Sequence, residues 1–417
     1  MLPLGSATDP AGQAGRQQLL AGSLSRGCGQ LGAEKFADLV EGLGASLRSD
    51  ASEDLLVIAL KCASSDGTQL LPILLTMLEQ PLFNSDQVRR ERDLNLQTLQ
   101  RLQEDPFHRC HDGLLPLLYG QGPYGHDPLG RASDLAQLEA SDLQSVSAQL
   151  IRSDAVLVIS GESDERMLDS LQQRLQHWQA PALAIPEPLP PGAQTFAANP
   201  IETEQMVLML GFRTLPVQHR DFLSLRLLQM HLGVGMSSRL FQCLREERAI
   251  VYDIGVEFAG RQQGSPMLWH LSTSADQGEE ALTALQLEWQ RLLNEPLSMQ
   301  ELNLAKAKWR GHEALAQQTG SQRAQRLALH ICQGLGEHYA AEQQQLLDQL
   351  DSQDLLVAAR RWLSSPRLSC CGPQRNLIRL AALWQQFPAW NSLPQDQPAI
   401  TETCRAGSAL PVAAGDG

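Results

Sequence analysis

Gly233-Val-Gly-Met-Ser-Ser-Arg-Leu-Phe-Gln-Cys-Leu-Arg-Glu-Glu-Arg-Ala-Ile-Val-Tyr252 is the stretch on which the reading of this chain turns. Gly233 and Gly235 permit a tight loop, after which Ser237 or Ser238 is placed to cap a helix. Leu240, Phe241 and Leu244 space one apolar face of that helix, over about 238–246. Arg245 falls near its end. Tyr252 follows in Ile250-Val251-Tyr252, which reads as the start of a strand. An arginine near a helix C-terminus and a tyrosine on the next strand can converge on one small site. The same spacing also suits a solvated arginine and a half-buried core tyrosine.

The run resembles the C-terminal-half motif of the insulinase / mitochondrial processing peptidase (pitrilysin) family of zinc peptidases. There an S-R-L-F-x-x-[LV]-R-E-x-[RQ]-G-L-x-Y segment supplies an Arg and a Tyr that bind the substrate carbonyl. The resemblance puts those roles on Arg245 and Tyr252, with Gly233 and Gly235 in the substrate loop. Ala249 stands where the family usually has Gly.

The zinc half of the resemblance is degenerate. The family's metal site is an inverted H-x-x-E-H on a helix that ends in a Lys/Arg-Gly-Thr-like turn. Its two His bind zinc and its Glu serves as general base. Aligning Arg26-Gly27-Cys28 with that turn puts the motif on Gln18-Leu19-Leu20-Ala21-Gly22. Gln18 and Gly22 then stand for the two His, and Ala21 for the Glu. The third ligand, a Glu in an E-R-D-V-V-L-x-E-I helix, falls on Thr98 of Glu91-Arg-Asp-Leu-Asn-Leu-Gln-Thr-Leu99. A Gln amide is a poor zinc ligand, Gly and Ala offer none, and Thr98 carries no negative charge. The resemblance implies that this chain binds no metal or cofactor itself, and that zinc belongs to a partner subunit.

Further pieces fall in the family's order. Glu91-Arg92-Asp93 and Glu104-Asp105-Pro106 stand where the family has E-R-D and D-D-P, and residues 119–130 resemble its H-P-Y-x-x-P-x-x-G loop. Ser160-Gly161, after the apolar run 155–159, reads as the strand end that closes the first half. The resemblance spans about residues 4–373. It implies an α+β fold of two homologous domains, each a mainly antiparallel sheet packed with helices, forming one half of a clam shell.

The order of elements is consistent with a tandem duplication. In the first half, a helix over 34–43, a strand over 54–61, Ser65-Asp-Gly67 and a helix over 69–79 precede Pro81 and a long charged helix. In the second, strands around 251–257 and 267–273, Asp276-Gln-Gly278 and a helix over 280–293 precede Pro296 and another long helix. A repeat this long implies two like domains rather than a solenoid. We expect a first peptidase-like domain over 1–179, a Pro-rich linker over 180–199 and a second domain over 200–373 that opens with a strand at 204–211. Residues 374–417 then form a C-terminal helix and a disordered tail.

Composition limits the partners. The chain has 417 residues, 43% of them hydrophobic, and a formal charge of −14, which argues against nucleic acid. An acidic cavity that draws in basic peptides and a generally acidic surface both fit that charge. No apolar run is long enough to span a membrane. Met1-Leu-Pro-Leu-Gly-Ser6 has neither the basic region nor the apolar core of a signal peptide. It resembles the end of a family strand, so the first domain is expected to lack its first strand; a targeting segment upstream would lie outside this reading. Eight cysteines without framework spacing fit a reduced, cytoplasmic setting. The cluster His108, Cys110 and His111 reads as a helix surface with incidental histidines.

In the family, each active site needs a zinc motif from one half and an Arg/Tyr pair from another, sometimes on separate subunits. A chain that keeps Arg245 and Tyr252 without the zinc ligands resembles the second subunit of such a divided enzyme. It would be inactive alone and paired with a zinc-bearing paralogue as a heterodimer acting on unstructured peptides. Two alternatives are an inert structural subunit, like the core proteins of the respiratory bc1 complex, and a peptide-binding homodimer.

Overall fold

The computed structural model describes residues 1–162, 164–179, 186–187 and 189–386. In the first half the chain runs through α1 (Arg16–Leu24), a short hairpin of β1 (Gly27–Cys28) and β2 (Leu31–Gly32), and α2 (Ala33–Glu41). It continues with β3 (Ser46–Ala51), β4 (Leu56–Lys61), α3 (Gly67–Glu79), α4 (Ser85–Leu102) and α5 (Pro106–Tyr119). Then follow α6 (Ala132–Leu135), α7 (Ala140–Val146) and α8 (Glu165–Leu175). The second half holds β5 (Phe196–Pro200), β6 (Gln205–Arg213), α9 (Phe222–Gly233), a π-helical segment Phe241–Glu247, β7 (Asp253–Phe258) and β8 (Pro266–Ser274). After these come α10 (Gly278–Asn294), α11 (Met299–Leu315), α12 (Gly320–Cys332), α13 (Tyr339–Gln349), α14 (Ser352–Trp362), β9 (Arg367–Gly372) and α15 (Gln374–Gln386).

Local chemistry sets the helix starts. Asp9 reaches the open end of α1, its carboxylate accepting from the backbone N–H of Gly15 (2.8 Å) and Gln17 (3.0 Å). Asn84 caps α4, and Ser298 with Glu301 forms a reciprocal capping box on α11. The 3-10 turn Ser64–Asp66 leading into α3 recurs as Ala275–Gln277 leading into α10. In each half a long helix, α4 or α11, comes next.

The second half carries a five-stranded sheet in the order β5-β9-β6-β8-β7, antiparallel except for the β5–β9 pair. Its central strand β6 is buried continuously from Met206 to Phe212, as a strand covered on both faces must be. Met206, Leu208, Leu210 and Phe212 face the main core, while Val207 and Met209 face a smaller cluster built on α5. Thus a helix of the first half covers the second half's sheet. Its approach is close: a Cβ on Gly113 would fall 2.6 Å from the Asn199 amide nitrogen, and one on Gly211 would fall 2.7 Å from Leu114. Cys110 lies against the Ser369 carbonyl at 3.0 Å.

Polar groups lock the same junction. The buried guanidinium of Arg261 pairs with Glu53 and sits over the rings of Tyr119 and Tyr124, at 5.4 and 5.0 Å. Tyr124 donates its hydroxyl to Asp54, which also accepts from the Gln262 backbone N–H at 2.8 Å. Burial works against the Glu53 charge, yet Arg261 holds that carboxyl below its usual range.

The structure departs from the sequence reading in several places. The second-half edge strand begins at Asp253, so Ile250 and Val251 are buried before it rather than within it. Among the described residues the first half has only two-stranded ladders, the short β1–β2 hairpin and β3–β4. Residues 155–159 run alongside without forming a strand: Val156 exchanges hydrogen bonds with Met1 (2.8 and 2.9 Å), and residues 157–159 make no backbone hydrogen bond among the described residues. A strand exists only beside a partner, and beyond Val156 this run finds none among the described residues. The helix bearing His108, Cys110 and His111 is no surface helix, because it lies between the halves. Of the Pro-rich linker, residues 180–185 and 188 lie outside the described residues, as does the tail from 387 onward. Among the described residues, no helix is long and apolar enough to cross a membrane.

Replacing Arg261 by Met leaves two carboxylates buried at the junction without their cation. We expect a loss of about 3–5 kcal/mol in urea unfolding, partly recovered in the double variant Arg261→Met/Glu53→Gln. A loss below about 1 kcal/mol would show that apolar packing under α5 holds the halves together unaided.

Candidate functional site

The glycine loop after α9 is held tightly. Gly233 lies so close to β7 that a Cβ would fall 2.3 Å from the Val256 nitrogen. Gly235 meets no such crowding, but its φ of +78° is one that glycine adopts freely. Lys308 donates to the Val234 carbonyl at 2.7 Å, and Arg239 pairs with Glu288 at 2.5 Å with both side chains largely buried. His231, also buried, stands 3.9 Å from Glu301. Burial first, and then the Arg239 charge, push its pKa down to about 4 against the pull of Glu301.

The helix that follows is wound as a π-helix, with no side-chain cap from Ser237 or Ser238. Leu240 and Leu244 are fully buried, as their spacing implied. Arg245 is exposed, its guanidinium 4.9 Å from the Phe241 ring centre. The segment closes through Ala249, whose φ of +54° is left-handed. Here lies the physical reason for a glycine at this position: a Cβ is strained there. The Tyr252 backbone N–H donates to the Ser272 carbonyl at 2.8 Å, aligning it with the sheet, while its side chain is 61% exposed. Tyr252 is therefore not the half-buried core residue that its spacing also allowed. No hydrogen bond or ring contact joins Arg245 to Tyr252. Both stand open to solvent beside β7, the edge strand of its sheet.

The first-half positions are filled by structural contacts. Gln18 accepts from the Ala51 N–H at 2.9 Å, and the Ala21 carbonyl accepts from the Ser49 hydroxyl at 2.6 Å. Helix α1 is thereby fastened to β3. Gly22 leaves a space that Glu91 of α4 occupies, since a Cβ there would fall 2.4 Å from its carboxylate. Glu91 is in turn paired with Arg26 at 2.6 Å. Thr98 donates to its own helix at Leu94. This donor set does not fit a zinc ion: the one amide oxygen is already engaged, and no imidazole or free carboxylate faces it. Among the described residues, no group of three His, Cys, Asp or Glu side chains is placed to hold a metal. The sequence marked Glu91 only as the start of E-R-D; its place against Gly22 needs the packing of two helices.

In the loop after α5, Tyr124 serves the junction between the halves, whereas His126 is bonded locally. Tyr124 is buried at φ +65°, and His126 lies 2.9 Å from the Asp127 carbonyl.

Residues 144–308 match the family model described as the peptidase M16 inactive domain. An uncharacterized zinc protease, YmxG, of Bacillus subtilis is 22% identical over 287 residues, covering 69% of this chain and 70% of its own. A Helicobacter pylori protein named non-peptidase homolog YmxG is 22% identical over 358 residues, 84% of this chain and 82% of its own. Among solved structures, a peptidase M16 inactive domain from Pseudomonas fluorescens superposes with a TM-score of 0.78 at 21% identity, over 89% of this chain and 92% of that one. A Helicobacter pylori protease does so with a TM-score of 0.79 at 17% identity and the same coverage.

Relieving the left-handed strain by Ala249→Gly should stabilise the protein by about 1 kcal/mol in urea unfolding, and Ala249→Val should do the opposite; unchanged midpoints in both would show that the loop absorbs the strain. His231 gives a pH signature. The unfolded chain takes up its proton near pH 6.5, whereas the folded chain resists until about pH 4. The stability present above pH 6.5 is therefore lost as pH falls through that window. His231→Gln should flatten the decline between pH 7 and pH 5.

Proposed function

Because this chain is an insulinase-family (M16) peptidase homologue that lacks the zinc motif, we propose that it is the non-zinc subunit of a two-subunit peptidase. The carrying observation is the contrast between its two motif regions. The zinc-motif positions on α1 and α4 are taken up by helix-to-strand and helix-to-helix contacts. Arg245 and Tyr252 are kept exposed beside a sheet edge, with no side-chain hydrogen bond to the rest of the protein among the described residues.

In this reading an unstructured peptide lies extended along β7 and pairs with its open backbone. The Tyr252 hydroxyl and the Arg245 guanidinium donate to the scissile carbonyl as negative charge gathers on its oxygen. A zinc-bearing paralogue supplies the metal chemistry, which this chain's own residues cannot. One such oxyanion donor is worth about 2.7–4 kcal/mol, or a hundred- to thousandfold in rate. The loop anchors at Gly233, Lys308 and Arg239 would hold the pair in place. The compartment that fits the cysteine usage is cytoplasmic. A second reading, an inert assembly subunit or peptide-binding homodimer, draws support from the Helicobacter pylori relative named as a non-peptidase homolog.

The test is cleavage of a mixed library of unstructured peptides by this chain, by a zinc-bearing paralogue, and by both together with zinc. Activity confined to the mixture, falling a hundred- to thousandfold with Tyr252→Phe or Arg245→Ala, is expected. Equal activity from the paralogue alone would make this chain a scaffold.

A further inference from the structure

The seam between α5 and the second half's sheet buries two thiols, Cys110 of α5 and Cys371 of β9. Both lie in the cluster that joins the halves, fully buried and free of any disulfide. Side chains alternate along β9. Leu368 and Cys370 face the main core, whereas Ser369 and Cys371 face α5. Cys370, though next in sequence, points away from the seam.

The helix sits close against this strand. The Cys110 Sγ lies 3.0 Å from the Ser369 carbonyl oxygen and 3.7 Å from that of Val207, the strand partner of Cys371. One turn on, a Cβ at Gly113 would fall 2.8 Å from the Ser369 hydroxyl, so a glycine lets the α5 backbone settle onto β9. A disulfide spans only about 4.4–6.8 Å between Cα atoms, and this approach is the condition for one. Burial holds both thiols above their ordinary range, against the Cys371 backbone N–H that faces Cys110 and the Arg109 charge beside Cys371. In the resting fold neither is a ready nucleophile, because the thiolate is the reactive form.

We propose that Cys110 and Cys371 form an oxidation site, closed by a peroxide into a disulfide that ties the first half to the second. Cys371, which lies toward the start of α5 near Arg109 and Asp105, reacts first. Its sulfur takes one hydroxyl as the O–O bond breaks, giving a sulfenic acid, and the other hydroxyl leaves with the thiol proton as water. The Cys110 sulfur then displaces the hydroxyl from Cys371; the S–S bond forms, the S–O bond breaks, and the Cys110 proton leaves with that hydroxyl as a second water. The two thiols together lose two electrons, and the peroxide is reduced to two waters. Since both thiols are shut in, the first step takes place when α5 lifts from β9. The link therefore traps a seam that has opened and closed again, and adds a covalent bond where Arg261 and Glu53 hold the halves by charge. This site does not depend on the roles of Arg245 and Tyr252.

The test is oxidation of the folded 417-residue chain with hydrogen peroxide, quenched by a thiol-alkylating reagent and mapped by mass spectrometry. The monomer is analysed, since Cys62 is exposed and can link chains. A cross-linked peptide joining Cys110 to Cys371, lighter by two hydrogens and released by a reductant, is expected. Amides of α5 should exchange at least about tenfold more slowly in the linked chain than in the reduced one. Cys371→Ala should lose both effects and Cys370→Ala should keep them; the cross-link itself is read on the unsubstituted chain, so a variant that fails to fold leaves the test standing. Cys110 joined chiefly to Cys370 or to another cysteine would overturn the proposal. So would two thiols still open to alkylation once the treated chain is unfolded, or an equal yield of the link from a chain oxidised in urea.

Discussion

The guanidinium of Arg261 lies between the two halves of this protein, and much of the architecture follows from the need to keep it satisfied. It comes from the second half, pairs with Glu53 of the first, and lies against the rings of both Tyr119 and Tyr124. A charge so buried tolerates no loose partner, so the turn carrying Glu53 and Asp54, the end of α5 and the loop at Tyr124 are all held in one arrangement. That arrangement aims α5 across the β5-β9-β6 side of the neighbouring sheet, where Gly113 and Gly211 let backbone and side chain close up. The sheet that presents β7 is thus buttressed by the opposite half.

Within this frame the two motif regions have separate fates. Helix α1 acts as a structural clip, with its Gln18 amide on β3 and its Gly22 gap filled by the Glu91–Arg26 pair. The loop from Gly233 to Tyr252 keeps its anchors on α10 and α11 and leaves its arginine and tyrosine in solvent. A π-helical winding and a left-handed Ala249 mark it as the strained part of the second half, and such irregularities gather where geometry serves a site.

The first half also shows what a strand needs. Among the described residues β4 pairs with β3 and, at Leu56, with Leu2, while the apolar run 155–159 meets a backbone partner only where Val156 pairs with Met1. Apolar content alone does not make a strand; backbone partners do.

Much was legible in the sequence because it rests on local chemistry. The succession of helices and strands and the apolar face of Leu240 and Leu244 depend on residues near one another in the chain. So did the oddity at Ala249, visible as an alanine in a glycine's place. What depends on residues far apart was not legible. The sequence reading took His108, Cys110 and His111 for a helix surface, because nothing local reveals that α5 lies between two layers. It could not connect Arg261 with Glu53, 208 residues away, nor place Glu91 against Gly22. The spacing of the chain determined which elements form and which side chains a site could use. Only the tertiary structure decided which of those side chains are spent on packing and which stay free, because burial and pairing are properties of the surfaces brought together.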